Sequence, residues 1–118
     1  MIRLLLADDS DAFRFILKEF LEQLPSVEIV GETTSLLETI QLARTLKPDV
    51  VLLDLHIRGA DVADPIYIKT RLLISAERFF TMSVWNNEES RRLSESYGAV
   101  KLIDKSKIAT DLMPALVS

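Results

Sequence analysis

The chain has 118 residues, 48% of them hydrophobic, with 14 basic against 18 acidic side chains and a net charge of -4. That is one domain able to bury a real core, and the acidic balance excludes a nucleic-acid-binding surface as its main business. Zero cysteines and one histidine exclude disulfides, a catalytic thiol, thiolate metal sites and a multi-histidine zinc centre.

The elements read as follows in chain order. Leu4-Leu5-Leu6-Ala7 is a first strand, and Ile2 to Ala7 is no signal peptide, because Arg3 breaks it and Asp8 and Asp9 stop it. Asp11 to Leu24 is a helix whose apolar stripe comprises Phe13, Ile16, Leu17, Phe20, Leu21 and Leu24, with Pro25 as its stop. Phe15 lies about 200° from Phe13 on the helical wheel and points away from that stripe. Val27 to Val30 is a second strand, and Ser35-Leu36-Leu37-Glu38 is a capping box that opens a second helix ending before Lys47-Pro48. Val50 to Leu53 is a third strand. The segment Asp61 to Ser75 contains Ile66-Tyr67-Ile68, which reads as a strand as well, but Asp64 as N-cap with Pro65 at the first helical position favours a third helix. Phe79 to Met82 is a fourth strand. Asn87-Glu88-Glu89 opens a fourth helix that Gly98 closes. Val100 to Ile103 is a fifth strand. The segment Ile108 to Val117 is a short helix starting near Asp111, which puts Pro114 in its first turn.

A βα unit repeated five times implies a doubly wound α/β fold with a five-stranded parallel sheet, five helices and right-handed crossovers. No apolar run approaches the roughly 20 residues of a membrane span, so the expectation is a cytoplasmic protein with no membrane contact.

In such a sheet, functional groups gather at the carboxyl ends of the strands. Those ends carry Asp8-Asp9, Asp54, Ser83 and Lys105. Carboxylates about 5 Å apart repel by roughly 3 kcal/mol at an effective dielectric of about 20, so one is protonated or a cation binds. All-oxygen ligands favour Mg²⁺ over zinc. A carboxylate beside Mg²⁺, a lysine and a hydroxyl is suited to accept a phosphoryl group.

Leu6-Ala7-Asp8-Asp9-Ser10, Val50 to Leu55, Met82-Ser83-Val84 and Gly98-Ala99 through Asp104-Lys105-Ser106 resemble the receiver domain of two-component response regulators. Each motif alone is weak; all of them in order, at strand ends, across the whole of residues 1–118, are specific. The resemblance implies a flavodoxin-like sheet of order 2-1-3-4-5. It implies Asp54 as phosphoacceptor, Ser83 and Lys105 on the phosphoryl oxygens, and Mg²⁺ held by Asp9 directly, Asp8 mostly through water, Asp54, and the backbone carbonyl of His56. It also implies a histidine kinase or phosphotransfer protein as donor, docking along the first helix, where Phe15 is a candidate contact. Such a domain catalyses its own phosphorylation and dephosphorylation and is not a turnover enzyme in the usual sense. The stretches Val27 to Glu32 and Ser83 to Glu89 look most like the branch with a LuxR-type helix-turn-helix output, and the 118 residues contain no such DNA-binding segment. The oligomeric state is open, a homodimer included.

The chain departs from the family pattern at Arg58 (usually Pro), Val84 (usually small), Leu102 (usually aromatic) and Ser106 (usually Pro), and over Arg58 to Arg78 generally. These departures support a second reading, a degenerate receiver that acts as a phosphorylation-independent interaction module. A third, a Mg²⁺-dependent phosphohydrolase, lacks the second Asp two residues after the nucleophile, where His56 stands. Isolated, each site residue has an ordinary role: Asp8 and Asp9 as helix caps, Asp54 and Lys105 in loops, Ser83 as a strand-end hydroxyl, and Trp85 as rim packing. Trp85 and His56 are placed to shield a phosphoryl group on Asp54 and slow its hydrolysis.

Overall fold

Five short apolar runs become five parallel strands, joined in the order β2-β1-β3-β4-β5, in a computed structural model that describes residues 1–117. The strands are β1 (Ile2–Ala7), β2 (Val27–Thr33), β3 (Val50–Asp54), β4 (Arg78–Ser83) and β5 (Leu102–Asp104). The helices are α1 (Asp11–Glu22), α2 (Leu36–Leu46), α3 (Pro65–Ser75), α4 (Glu88–Ser96) and α5 (Ile108–Val117). This is the doubly wound, flavodoxin-like order that the sequence implied. Among the described residues no helix is long and apolar enough to cross a membrane.

The period of two along each strand sorts the core into two layers. Leu5, Ala7, Val51, Leu53 and Phe79 face α2 and α3, where Ile40, Ala43, Ile68 and Leu72 close the layer. Leu4, Leu6, Leu52, Phe80, Met82 and Ile103 face α1 and α5, against Leu17, Leu21, Leu112 and Leu116. Every residue of β3 is buried, as suits the central strand.

Most helix ends follow local chemistry. Ser10 caps α1 by accepting from the Phe13 N–H. Ser35 accepts from the Glu38 N–H, while Glu38 reaches back one residue further than the usual box, to the Thr34 N–H and hydroxyl. Asp64 caps α3 with Pro65 in its first turn, as expected. Asn87 caps α4 by accepting from the Ser90 N–H, and Gly98 follows it at φ +85°.

Three expectations are corrected. Ile16 belongs to no buried stripe: it is 57% exposed, because it lies about 100° from Leu17 and the flat sheet reaches only the centre of the helix face. The fifth strand begins at Leu102 rather than Val100, which is exposed although its N–H still bonds to the Phe79 carbonyl. Helix α5 begins at Ile108, not near Asp111, so Pro114 falls inside it. Burial of Leu112, Ala115 and Leu116 holds the helix across this missing donor, and the Arg78 guanidinium donates to the Ala115 and Leu116 carbonyls near its end.

Candidate functional site

β1, β3 and β4 end together because their registers align: Ala7 pairs with Leu53, and Asp54 with Met82. The chain then turns at each strand end, and polar side chains collect there. Asp8 is fully buried and Asp54 nearly so, whereas Asp9 is exposed. One carboxylate oxygen from each of Asp8, Asp9 and Asp54 lies within 4.8 Å of the others.

Lys105, just past β5, enters this cluster. Its Nζ is 2.7 Å from Asp8 Oδ2 and 3.3 Å from Asp54 Oδ1. It also sits 4.4 Å from the centre of the Phe13 ring. Asp104 fixes the lysine's turn by accepting from the Ser106 N–H and hydroxyl, and these hydrogen bonds hold the Asp104 carboxyl below its ordinary pKa. Phe13 packs beneath the ammonium, so a cation already paired with carboxylates also has an aromatic face.

The Asp8 loop is tied at several points. The Asp8 N–H donates to the Thr33 carbonyl, and Asp8 Oδ1 accepts from the Ser10 N–H at 2.9 Å. The Asp8 carbonyl accepts from Arg14 at 2.7 Å, and Arg14 also pairs with Asp11 and Glu32. Asp8 Oδ2 receives no well-directed hydrogen bond, only the Lys105 charge.

Burial pushes the Asp54 carboxyl above its ordinary pKa; Lys105 opposes that push, Asp8 adds to it, and the His56 backbone N–H opposes it. A lone pair held back from water on a carboxylate of raised basicity suits attack on an electrophile. Ser83 is buried at the end of β4, and its Oγ accepts from the Trp85 N–H at 3.0 Å, which leaves its own O–H to donate.

Of the sequence-predicted residues, Asp8, Asp9, Asp54 and Lys105 are brought together directly, and Ser83 ends the strand beside Asp54. The His56 side chain is exposed and shares a cleft with Trp85 and Asn87. Val84 and Trp85, which follow Ser83 directly, are both exposed. Two contributors escaped the sequence reading. Phe13 was a stripe residue whose contact with Lys105 joins positions far apart in the chain, and Arg14 carried no motif. Only the first-turn placement of both on α1 hinted that they face the strand ends.

An all-oxygen set of three carboxylates, one of them with a buried oxygen lacking a directed donor, fits a hard divalent cation. The sheet order and this acidic edge define a doubly wound α/β protein whose polar site lies at the carboxyl ends of its strands. The family model described as "Response regulator receiver domain" matches residues 4–116. The chain belongs to that family, and NarL and LiaR among its relatives are LuxR-type regulators. It is 32% identical over 113 residues to the nitrate/nitrite response regulator protein NarL of Escherichia coli K12, covering 96% of this chain and 52% of NarL. The transcriptional regulatory protein LiaR of Bacillus subtilis is 46% identical over 61 residues, which is 52% of this chain and 29% of LiaR. The chain therefore spans about half the length of NarL and matches a smaller share of LiaR. The isolated receiver domain of RcsB from Salmonella enterica serovar Typhimurium, solved with phosphomimetic BeF3-, superposes with a TM-score of 0.81 at 25% identity, covering 98% of this chain and 86% of that one. Receiver domains generally bind Mg²⁺ at an acidic pocket and interact with histidine kinases, and LuxR-type regulators have DNA-binding output domains.

Proposed function

We propose that this chain is a cytoplasmic phosphoacceptor domain, one receiver over residues 1–118, that takes a phosphoryl group from a histidine kinase or phosphotransfer protein onto Asp54. The observation that carries this reading is the placement of Lys105 within ion-pair distance of both Asp8 and Asp54 at the edge where the three carboxylates meet. Bound Mg²⁺ would be held by Asp9, Asp8, Asp54 and the His56 backbone carbonyl, and would supply positive charge against the phosphoryl oxygens.

An Asp54 carboxylate oxygen attacks phosphorus. The O–P bond forms as the P–N bond of the phosphohistidine breaks, and the departing imidazole keeps the electron pair and takes a proton. Lys105 is pre-placed by Asp8 and Phe13 and turns its ammonium to a phosphoryl oxygen as Asp54 loses its negative charge to the new bond. The Ser83 hydroxyl donates to a second oxygen. Burial of Asp54 limits the access of bulk water, and Trp85 and His56, each two residues past a strand end of the site, would shield the phosphoryl group. The same residues support hydrolysis of the acyl phosphate, so phosphorylation is self-limiting. The phosphorylated form changes contact with a partner or with a DNA-binding output domain of the kind LuxR-type relatives carry, while this chain itself binds no nucleic acid.

Binding of beryllofluoride tests the reading. Trp85 fluorescence should respond to beryllofluoride in the presence of Mg²⁺ and not in its absence, and the Asp54→Asn variant should be silent. A silent wild-type protein that still binds its partners would favour the phosphorylation-independent interaction module, which Leu102 and Arg58 suggest.

A further inference from the structure

Helix α3 carries more exposed apolar surface than a helix with a solvated outer face requires. Ile66 is 70% exposed and Ile74 69%, and Tyr67 and Leu73 are each 43% exposed. Beside them Leu37 of α2 is 62% exposed. Contiguous exposed apolar surface of this kind marks an interaction site more often than single scattered residues do. It also falls in the Arg58 to Arg78 stretch, where the sequence departs most from its family.

The two helices leave a cleft of about 270 Å³ between them, lined by Leu37, Ile40 and Arg44 of α2 and by Tyr67, Arg71 and Ile74 of α3. The spacing from Leu37 to Arg44, and from Tyr67 through Arg71 to Ile74, keeps each set on one face of its helix. The Arg71 guanidinium lies 5.3 Å from the centre of the Tyr67 ring. Neither Arg44 nor Arg71 has a carboxylate within ion-pair distance among the described residues, and no acidic residue lines the cleft. On a chain of net charge -4, this is a local positive rim around an apolar floor.

We infer that the α2–α3 cleft docks an acidic amphipathic helix of a partner protein. Leucine-like side chains fill the floor between Leu37, Tyr67 and Ile74, and flanking carboxylates pair with Arg44 and Arg71, a helix-in-groove arrangement. The charge selects this occupant over a second copy, because a two-fold contact through the same face sets the arginines of one copy against those of the other. Ser75 is the one buried polar residue in the lining of the cleft, and a single hydroxyl gives little to orient a small molecule, which favours a macromolecular ligand. The site lies on the α2–α3 face and does not depend on phosphorylation of Asp54.

Two synthetic helical peptides of about 15 residues test the inference, one with leucines at i, i+4 spacing flanked by glutamates, the other with lysines in place of the glutamates. Amide chemical shifts of the isotopically labelled chain should move at Leu37, Arg44, Tyr67, Arg71 and Ile74 with the glutamate peptide, less so at high salt, and not with the lysine peptide. The double variant Arg44→Glu, Arg71→Glu, checked for native circular dichroism, should bind the glutamate peptide at least about tenfold more weakly and should gain affinity for the lysine peptide. Equal response to both peptides, shifts on another face, or an unchanged response in the variant would overturn the inference. So would sedimentation showing that the chain alone self-associates through these residues.

Discussion

The Lys105 ammonium lies 4.4 Å from the centre of the Phe13 ring. A residue of the first helix thereby positions a residue that follows the last strand, and the two close the site from opposite ends of the chain. The ring stabilises the cation without competing for its protons, so Lys105 can hold Asp8 and Asp54 at rest and still turn toward an incoming oxygen.

Phe13→Leu keeps the apolar volume and removes the aromatic face. A cation–π contact at a partly desolvated site is worth about 1 kcal/mol, so phosphorylation of Asp54 should slow by about fivefold. The melting temperature should move little. A phosphorylation time course beside a thermal melt checks both; a rate equal to wild type would show that the ring only packs.

Arg14→Ala releases the Asp8 carbonyl and two carboxylates at once. The partly exposed setting discounts the ion pairs, which leaves a loss of about 1–2 kcal/mol. Mg²⁺ titrations should also show weaker binding by the variant, because the loop presenting Asp8 and Asp9 has lost its clasp. An unchanged Mg²⁺ affinity would confine Arg14 to a role in stability.

Burial raises the Asp54 carboxyl above its ordinary pKa. Between its unfolded and folded pKa values the native state holds the extra proton, so stability falls as pH rises through that window and stays reduced at neutral pH. Asp54→Asn removes this penalty and leaves Lys105 paired with Asp8. In chelator, the variant should melt higher than wild type at pH 7, and the gap should narrow below about pH 4, where the unfolded carboxyl is protonated too. A lower melting temperature at pH 7 would mean that the Lys105 pair outweighs desolvation.

Gly98 ends α4 at φ +85°, and a Cβ there would stand 2.6 Å from Lys69 Cγ. Cγ lies near the root of the Lys69 side chain, which must change rotamer to make room, so Gly98→Ala should cost more than the backbone strain of about 1 kcal/mol alone, with the fold retained. Chemical denaturation measures it.

Trp85 and His56 line one cleft with Asn87, and they stand two residues past the strand ends that carry Ser83 and Asp54 respectively. Replacing both with alanine should shorten the lifetime of phosphorylated Asp54, as followed by loss of the acyl phosphate over time. An unchanged lifetime would reduce Trp85 to rim packing.

Much of this architecture could be read from the chain because its signals are local. Val50 to Leu53 is apolar without interruption because β3 is covered on both faces, and Asp64-Pro65 marks the start of α3 by cap chemistry alone. Asp8, Asp9, Asp54 and Lys105 could be placed together because topology carries strand ends to one edge. What escaped was set by packing between distant elements. Ile16 fits a helical stripe by spacing, yet the fold leaves it exposed. Pro114 should have opened α5, but the buried Leu112 and Leu116 outweigh one lost hydrogen bond. Periodicity also says nothing of the face left uncovered on α3, where Ile66 and Ile74 are exposed.

The most direct test of the phosphoacceptor reading is the intact mass of the chain after incubation with Mg²⁺ and small phosphodonors, acetyl phosphate and phosphoramidate, beside the Asp54→Asn variant. The account predicts the addition of a single phosphoryl group to the wild-type chain, absent without Mg²⁺ and absent in the variant. Phosphorylation retained in Asp54→Asn, or no addition from any donor, a phosphorylated histidine phosphotransfer protein included, would contradict it.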